Sequence, residues 1–145
     1  MSVQSVDSVD IAGLSHQLVE FYEKMSTWEQ DVVKHSGLST AQMHAIEIVG
    51  HTVSLRMKEL AGKMGVTTGT LTVMVDRLEE QGLLKRMPHE TDRRSWLVEL
   101  TEKGQEVFAQ HHQHHLRFIE EITATLSGEE QELFRVILEK IVGQM

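Results

Sequence analysis

The sequence predicts a mostly helical fold, and two observations carry this prediction. The 145 residues include one proline, ten glycines and only 5% aromatic residues, which is little of the material that an all-β fold needs. Apolar residues also recur at spacings of three and four along most of the chain, which is the period of an amphipathic helix.

The first 50 residues predict two helices. Apolar residues between about positions 9 and 35 keep the helical spacing, and Gly37 ends this first helix. Ser39 and Gln42 fit a capping box, in which each side chain bonds a backbone N–H near the other residue. The second helix is therefore expected to run from about Thr40 to Val49.

The middle of the chain predicts a helix-turn-helix followed by a small hairpin. A third helix is expected over Leu55–Met64, and Thr67 is placed to cap a fourth helix that ends at Gly82. Two short strands, Leu83–Met87 and Ser95–Leu100, then surround a polar tip. A hairpin of this size does not stand alone, so we interpret it as a wing beside the helix-turn-helix.

Two further helices complete the predicted fold. Thr101 caps a long helix that extends to about Thr125, and Ser127 with Glu130 forms a second capping box that opens a final helix to about Gly143. The expected order is four helices, a two-stranded wing and two helices in one domain over residues 1–145.

Composition excludes several classes of function. The chain has no cysteine, which removes disulfides, thiolate nucleophiles and cysteine-based metal sites. No stretch reaches the roughly 20 apolar residues of a membrane span, and the first residues lack the features of a signal peptide. We therefore expect a cytoplasmic protein that does not associate with a membrane.

The charge is unevenly distributed. The net charge is -8, yet the region from Ser54 to Lys103 holds nine basic and eight acidic residues, against five basic and fourteen acidic residues elsewhere. Contact with nucleic-acid phosphates needs locally concentrated Lys and Arg, so this region is the candidate for such contact. A solvated acidic surface with one less acidic region is the alternative interpretation.

The fourth helix carries residue types suited to a major groove. Small polar side chains and one long donor on such a helix reach base edges without clashing. The candidates for base contact are Thr67, Thr68, Thr70, Thr72 and Arg77. The wing tip adds Arg93 and Arg94, since arginine on a narrow protrusion fits the negative potential of a minor groove. The threonines alone also fit a capped and solvated helix face.

The run SLRMKELAGKMGVTTGTLTVMVDRLEEQGLLKRMPHETDRRSWLVELTEKG resembles the winged helix-turn-helix of the multiple-antibiotic-resistance regulator (MarR) family. The likeness includes the DRLEEQGLL helix end, the DRR wing tip and the LTEKG exit. It implies that residues 39–101 form a DNA-binding lobe and that residues 1–36 and 102–145 form dimerisation helices. It also implies that Asp92 and Arg94 organise or insert the wing. A homodimer is then expected to bind a short palindromic operator of double-stranded DNA.

A histidine run, HHQHH, lies in the predicted fifth helix. At about 100° per residue, His111 and His115 fall in the apolar stripe, whereas His112 lies at its edge and His114 further round. Two imidazoles on a buried face need hydrogen-bond partners or a shared divalent metal. A packed polar strip at the dimer interface is the alternative interpretation.

Within the MarR family, this run resembles the zinc-responsive repressors of zinc uptake. The resemblance implies that His111 and His115 bind Zn(II) together with His44, which lies in LSTAQMHAI, and a glutamate late in the first helix. That glutamate is Glu29, with Glu23 as the alternative. Three histidines and one carboxylate also accept nickel, cobalt or copper.

Two other functions compete with metal sensing. A repressor released by a small aromatic or amphipathic ligand would bind it in a cavity near Trp28, Met43 and His44. A metal-dependent hydrolase is disfavoured, because no carboxylate pair or activated nucleophile accompanies the histidines at a recognisable spacing. We therefore expect a regulator and no enzyme.

Overall fold

The computed structural model describes residues 9–145, and the chain divides after Ala45 into two compact units. The first unit holds α1, Ile11–Val33, and the beginning of α2, Thr40–Gly50. Residues 1–8 of the predicted dimerisation segment 1–36 lie outside the described residues.

Side-chain caps begin both of these helices. The Asp10 carboxylate accepts the backbone N–H of Gly13 at 2.8 Å at the start of α1. Ser39 and Gln42 each accept the other's backbone N–H, at 3.1 and 3.0 Å, so the predicted capping box is present before α2.

The second unit contains the remaining helices and all of the strands. In chain order these are β1 (Leu55–Arg56), α3 (Met57–Met64), α4 (Thr68–Glu80), β2 (Leu84–Pro88), β3 (Trp96–Leu100), α5 (Glu102–Ile122) and α6 (Gly128–Val142). The prediction of a mostly helical chain with a small wing is confirmed. Among the described residues, no helix is both long and apolar enough to cross a bilayer.

The sheet has three antiparallel strands in the order β1-β3-β2. The expectation that Leu55 and Arg56 begin the third helix is wrong, because they pair with β3 at Val98 and Leu97. Two residues are too few to show the alternation by which a strand is recognised. The helix-turn-helix and the wing therefore share one strand.

The core of the second unit lies between α3, α4 and the sheet. Its fully buried apolar side chains include Leu60, Leu71, Val75, Leu78 and Val98. Each of them stabilises the unit by about 1.5–3 kcal/mol relative to an exposed side chain. The turn between α3 and α4 passes through Gly65 at φ 66°, a left-handed conformation that glycine adopts without a steric penalty.

The helices α5 and α6 begin with side-chain caps and keep apolar residues at their surfaces. Thr101 accepts the N–H of Gly104 at 3.0 Å, and Ser127 and Glu130 form the predicted capping box. Large apolar side chains that remain exposed on these helices are Leu116, Ile119, Ile122, Leu133, Phe134, Ile137, Leu138, Ile141 and Val142.

Candidate nucleic-acid interface and histidine cluster

The helix α4 separates an apolar face from a polar face. Leu71, Val75 and Leu78 are fully buried and fix the helix to the lobe. The predicted base-contacting residues are all exposed: Thr67, Thr68, Thr70, Thr72 and Arg77. The sequence therefore orients α4 so that these side chains are available to a macromolecular partner.

Local hydrogen bonds define what the threonines offer to a partner. The Thr67 hydroxyl accepts the backbone N–H of Thr70 at 3.2 Å and donates to the Thr70 hydroxyl at 3.0 Å. The Thr72 hydroxyl donates to the carbonyl of Thr68 at 2.8 Å. With those protons engaged, Thr67 and Thr72 present acceptor oxygens and methyl groups, which suit amino groups and thymine methyls at base edges.

Arg86 of β2 holds the acidic residues of α4. Its Nε lies 3.0 Å from Glu79 Oε1, its backbone N–H donates to the same oxygen at 2.9 Å, and its Nη2 also contacts Asp76. The hydrogen bond with Glu79 is the main cause that raises the pKa of Arg86 above its ordinary value. Arg86 is thus committed to α4, a role that the sequence alone did not indicate.

The wing carries arginines without acidic partners. Arg93 and Arg94 are exposed at the tip between β2 and β3. Within residues 9–145, neither of them forms a salt bridge, and nor does Arg77 of α4. Three cations on one lobe therefore remain available for phosphate contact.

The second feature of this unit is a cluster of polar side chains around a buried histidine, His111. It is 2% exposed and is the one buried polar side chain that the described residues contain. Its Nε2 lies 3.0 Å from Nε2 of His115, one turn later on α5, and contacts the carboxylate of Glu47 on α2. His115 Nε2 lies 3.0 Å from Glu47 Oε1. The donor atoms of all three side chains lie within 4.8 Å of one another.

The charge of Glu47 follows from its neighbours. Burial acts to raise the pKa of this carboxyl, but the hydrogen bond from His111 and the charges of His111 and His115 outweigh it and hold the pKa below its ordinary value. Glu47 is therefore a carboxylate between two imidazoles. An anionic oxygen with two imidazole nitrogens is a donor set that binds divalent metals.

The structure brings two predicted metal ligands, His111 and His115, together and adds a residue that the sequence did not identify. Glu47 lies three residues after the predicted ligand His44, which is exposed on α2. On α1, Glu29 is half-buried and Glu23 is exposed. The roles of Glu29, Glu23 and His44 stay predictions.

Next to the cluster, residues of α2, of α5 and of the chain just after α2 line an open pocket of about 280 Å³. Phe108 and His112 stack with ring centroids 5.8 Å apart, and His51 meets Phe108 edge to face at 5.2 Å. The pocket is lined by Glu47, His51, Phe108, His112, His115, Leu116 and Ile119. The predicted ligand cavity near Trp28, Met43 and His44 stays a prediction.

Comparison with known proteins places this lobe in a family. The model of the MarR family matches residues 38–96. The HTH-type transcriptional regulator MhqR of Bacillus subtilis (strain 168) is 31% identical over 108 residues, which are 74% of this chain and 74% of that protein. The uncharacterized HTH-type transcriptional regulator YfiV of the same organism is 37% identical over 71 residues, 49% of this chain and 44% of that protein.

Solved structures show the same fold. The crystal structure of Streptococcus pneumoniae FabT in complex with DNA has a TM-score of 0.81 at 24% identity and covers 92% of this chain and 96% of its own. NadR in complex with 4-hydroxyphenylacetate has a TM-score of 0.74 at 21% identity and covers 97% of each chain. The expectation of a regulator and no enzyme agrees with these relatives, and the chain belongs to the MarR family of DNA-binding transcriptional regulators.

Proposed function

We propose that this protein is a homodimeric repressor that binds a short palindromic operator. In this proposal α4 enters the major groove with Thr67, Thr68, Thr70, Thr72 and Arg77, and the wing places Arg93 and Arg94 in the adjacent minor groove. The observation that carries the proposal is the exposure of the polar face of α4 together with that of Arg77, Arg93 and Arg94, none of which forms a salt bridge within residues 9–145. The proposed DNA-binding lobe is residues 39–101.

The dimer is proposed from the apolar surface of the terminal helices. Leu133, Ile137 and Ile141 recur at spacing four along α6 and are 42–60% exposed. A contiguous apolar stripe of this kind on a surface helix favours burial against a partner. The proposed dimerisation segments are residues 1–36 and 102–145, and two copies of the lobe would then contact successive major grooves.

The test is a selection of binding sequences from a random DNA pool, followed by fluorescence anisotropy at several salt concentrations. We expect an inverted repeat. The double variant Arg93→Ala with Arg94→Ala should lower operator affinity. It should also make the slope of log affinity against log salt concentration shallower by the contribution of two phosphate contacts, which is about 0.9 for each contact. Arg117→Ala on α5 removes one positive charge outside the lobe and should leave the slope unchanged. Selection of no common sequence would refute the proposal.

The finer proposal is that a divalent metal, with Zn(II) as the first candidate, acts as the effector. Zn(II) lies about 2.0–2.1 Å from imidazole nitrogens, so two such nitrogens in a tetrahedral site are about 3.3 Å apart. The Nε2 atoms of His111 and His115 are 3.0 Å apart, and the Glu47 carboxylate faces both of them. These three side chains therefore fit the metal without a change of fold.

The remaining ligand is proposed from the family resemblance. That resemblance implies Glu29 as a carboxylate ligand and His44 as the ligand from α2, a position that Glu47 fills in the observed cluster. When bound, the metal would supply a fixed link between the second half of α2 and α5. If this link favours the DNA-binding arrangement, the coupling is reciprocal, and operator DNA tightens metal binding by the same factor.

The test is isothermal titration of Zn(II) into metal-free protein. We expect one tight site per subunit that His111→Ala and His115→Ala each abolish. His114→Ala, on an exposed position of the same helix, should retain it. Operator affinity that is equal with zinc and with a chelator would reject the effector role even if the site binds metal.

The alternative is a repressor released by a small aromatic or amphipathic ligand, with no metal. The pocket beside Phe108 favours this function, because a small concave site with aromatic and apolar walls and a few polar groups is typical of ligand pockets. In a thermal-shift screen of small aromatic and amphipathic compounds, a ligand should then raise the melting temperature, and Leu116→Trp, which fills the pocket, should remove the shift. No stabilising compound together with a tight zinc site would favour the metal proposal.

A further inference from the structure

The wing tip contains a histidine whose hydrogen bonds shape the loop. His89 is half-buried, and its backbone N–H donates to the carbonyl of Ser95 at 3.0 Å, which closes the loop. Its side-chain Nδ1 accepts the backbone N–H of Asp92 at 3.1 Å and that of Thr91 at 3.3 Å. The imidazole therefore satisfies two amides that would otherwise lack a partner within the tip.

The role of each ring nitrogen in these bonds depends on which of them carries the proton. A neutral imidazole has one acceptor nitrogen and one N–H. Two backbone amides and the Thr91 hydroxyl, at 3.3 Å, face Nδ1, and this nitrogen accepts the amides in the tautomer that carries its hydrogen on Nε2. Arg56, the residue that precedes α3, places Nη2 3.1 Å from His89 Nε2, a contact that is a hydrogen bond when Nε2 is the acceptor. In the tautomer with its hydrogen on Nε2, the stabilising contribution of His89 to the tip lies in its Nδ1.

The aspartate three residues later continues the same arrangement. Asp92 Oδ1 accepts the backbone N–H of Arg94 at 3.0 Å, and Oδ2 accepts the Ser95 hydroxyl at 2.8 Å. His89 fixes the backbone before Arg93, and Asp92 fixes the backbone after it. Together, the hydrogen bonds to His89 Nδ1 and to the Asp92 carboxylate leave the backbone of Arg93 and Arg94 little freedom to reorient.

We propose that His89 is a positioning residue of the wing, whose Nδ1 sets the backbone from which Arg93 and Arg94 reach DNA. This inference rests on the proposed contact of those arginines with the minor groove. His89 itself needs no contact with DNA in this role. Its contribution is to reduce the conformational entropy that the tip loses when it binds.

Two substitutions at His89 test whether the acceptor at the position of Nδ1, and not the rest of the imidazole ring, is what the wing needs. In His89→Asn the amide oxygen occupies nearly the place of Nδ1, whereas in His89→Gln the polar atoms lie near Nε2 and the cap is lost. We expect His89→Asn to bind the selected operator within about threefold of wild type, and His89→Gln to bind about tenfold more weakly, as expected for two lost hydrogen bonds.

The readout must distinguish positioning from a general loss of stability. We would measure operator affinity by anisotropy over a salt series, with thermal unfolding of each variant as the control. His89→Gln should also reduce the preference for A·T over G·C at the base pairs under the wing. A variant that is only less stable, but still folded, would retain this preference. His89→Ala should behave as His89→Gln does.

The outcomes separate this inference from the proposed function. If Arg93→Ala with Arg94→Ala leaves affinity unchanged, the proposed minor-groove contact is wrong and the inference fails with it. If that double variant weakens binding but His89→Asn and His89→Gln bind equally, the proposed function stands and the role of His89 is overturned. Weaker binding by His89→Gln alone, with altered A·T preference, supports the inference.

Discussion

Glu79 of α4 receives both the backbone N–H and the Nε of Arg86 on one carboxylate oxygen, at 2.9 and 3.0 Å. Arg86 also reaches Asp76, one turn earlier on α4. One arginine thus ties α4 to the sheet and neutralises two acids that would repel phosphate in the proposed complex. We expect Arg86→Ala to cost about 1–2 kcal/mol of stability, a value already reduced for partial exposure to solvent.

The same substitution should weaken operator binding by more than the stability loss explains, because it leaves Asp76 and Glu79 without a cation. Chemical denaturation and anisotropy on the same samples measure the two effects. Lys85→Ala, which removes the neighbouring charge that lies 3.7 Å from Glu99, is the control and should have the smaller effect on both. Normal affinity in Arg86→Ala would contradict the neutralising role.

Gly104 occupies the first turn of α5 directly against the chain after α4. A Cβ atom at this position would lie 2.1 Å from the backbone oxygen of Leu83, which cannot move without opening the sheet. We expect Gly104→Ala to destabilise the protein by at least about 1–3 kcal/mol through overpacking. Thermal unfolding measures the change.

Gly62 is the matched position for this test. It lies within α3, and a Cβ atom there would meet no atom within 4 Å. Gly62→Ala should stabilise the protein by about 0.5–1 kcal/mol, because alanine loses less backbone entropy in a helix. Gly104→Ala should therefore lower the free energy of unfolding, whereas Gly62→Ala should raise it. A change of the same sign in both variants would show that the close approach at Gly104 is not maintained.

Asp92 should titrate below the ordinary range of an aspartate. The backbone N–H of Arg94 is the main cause that lowers its pKa, and the Ser95 hydroxyl adds to it. A lowered pKa means that the carboxylate stabilises the wing tip above the ordinary pKa of about 4 and that this contribution is lost as the pH falls through the lowered value. NMR titration should give a low midpoint for Asp92, and Ser95→Ala should raise it. A midpoint at the ordinary value would contradict the cap.

The choice between Glu47 and His44 as the ligand from α2 can be tested directly. Glu47→Gln removes the anionic oxygen that faces His111 and His115, so we expect zinc affinity to fall by more than about tenfold. His44→Ala, at an exposed position, should bind zinc as wild type does. In wild type, zinc at 100 times its dissociation constant should raise the free energy of unfolding by about 2.7 kcal/mol, and a chelator should reverse this. The opposite ranking of the two variants would assign the ligand to His44.

The sequence predicted the helices well because their signals are local. Capping residues such as Thr67 and Ser127 act over three residues, and the structure places the expected hydrogen bonds at both. The strand Leu55–Arg56 was missed because its only signal is its partner, more than 40 residues away in β3. Local periodicity carries no information about such pairing.

The candidate sites divide in the same way. The spacing of His111 and His115 on one helix predicted that they share a face, and the structure confirms that they meet. Glu47 was not identified, since nothing on α2 marks it before the packing against α5 is known. From the sequence, Arg86 was counted as one of the basic residues of the lobe. The count of charges does not show that Arg86 is already paired with Glu79 and Asp76.

The central strand β3 has a consequence for how operators change over time. It pairs with β1, which leads into the helix-turn-helix, and with β2, which leads into the wing. In the proposed complex, this shared sheet sets the distance between the bases that α4 contacts and those under the wing. In the proposed complex, a promoter that gains or loses one base pair inside a half-site escapes this regulator at a single step, whereas a base change at one contact only weakens its control.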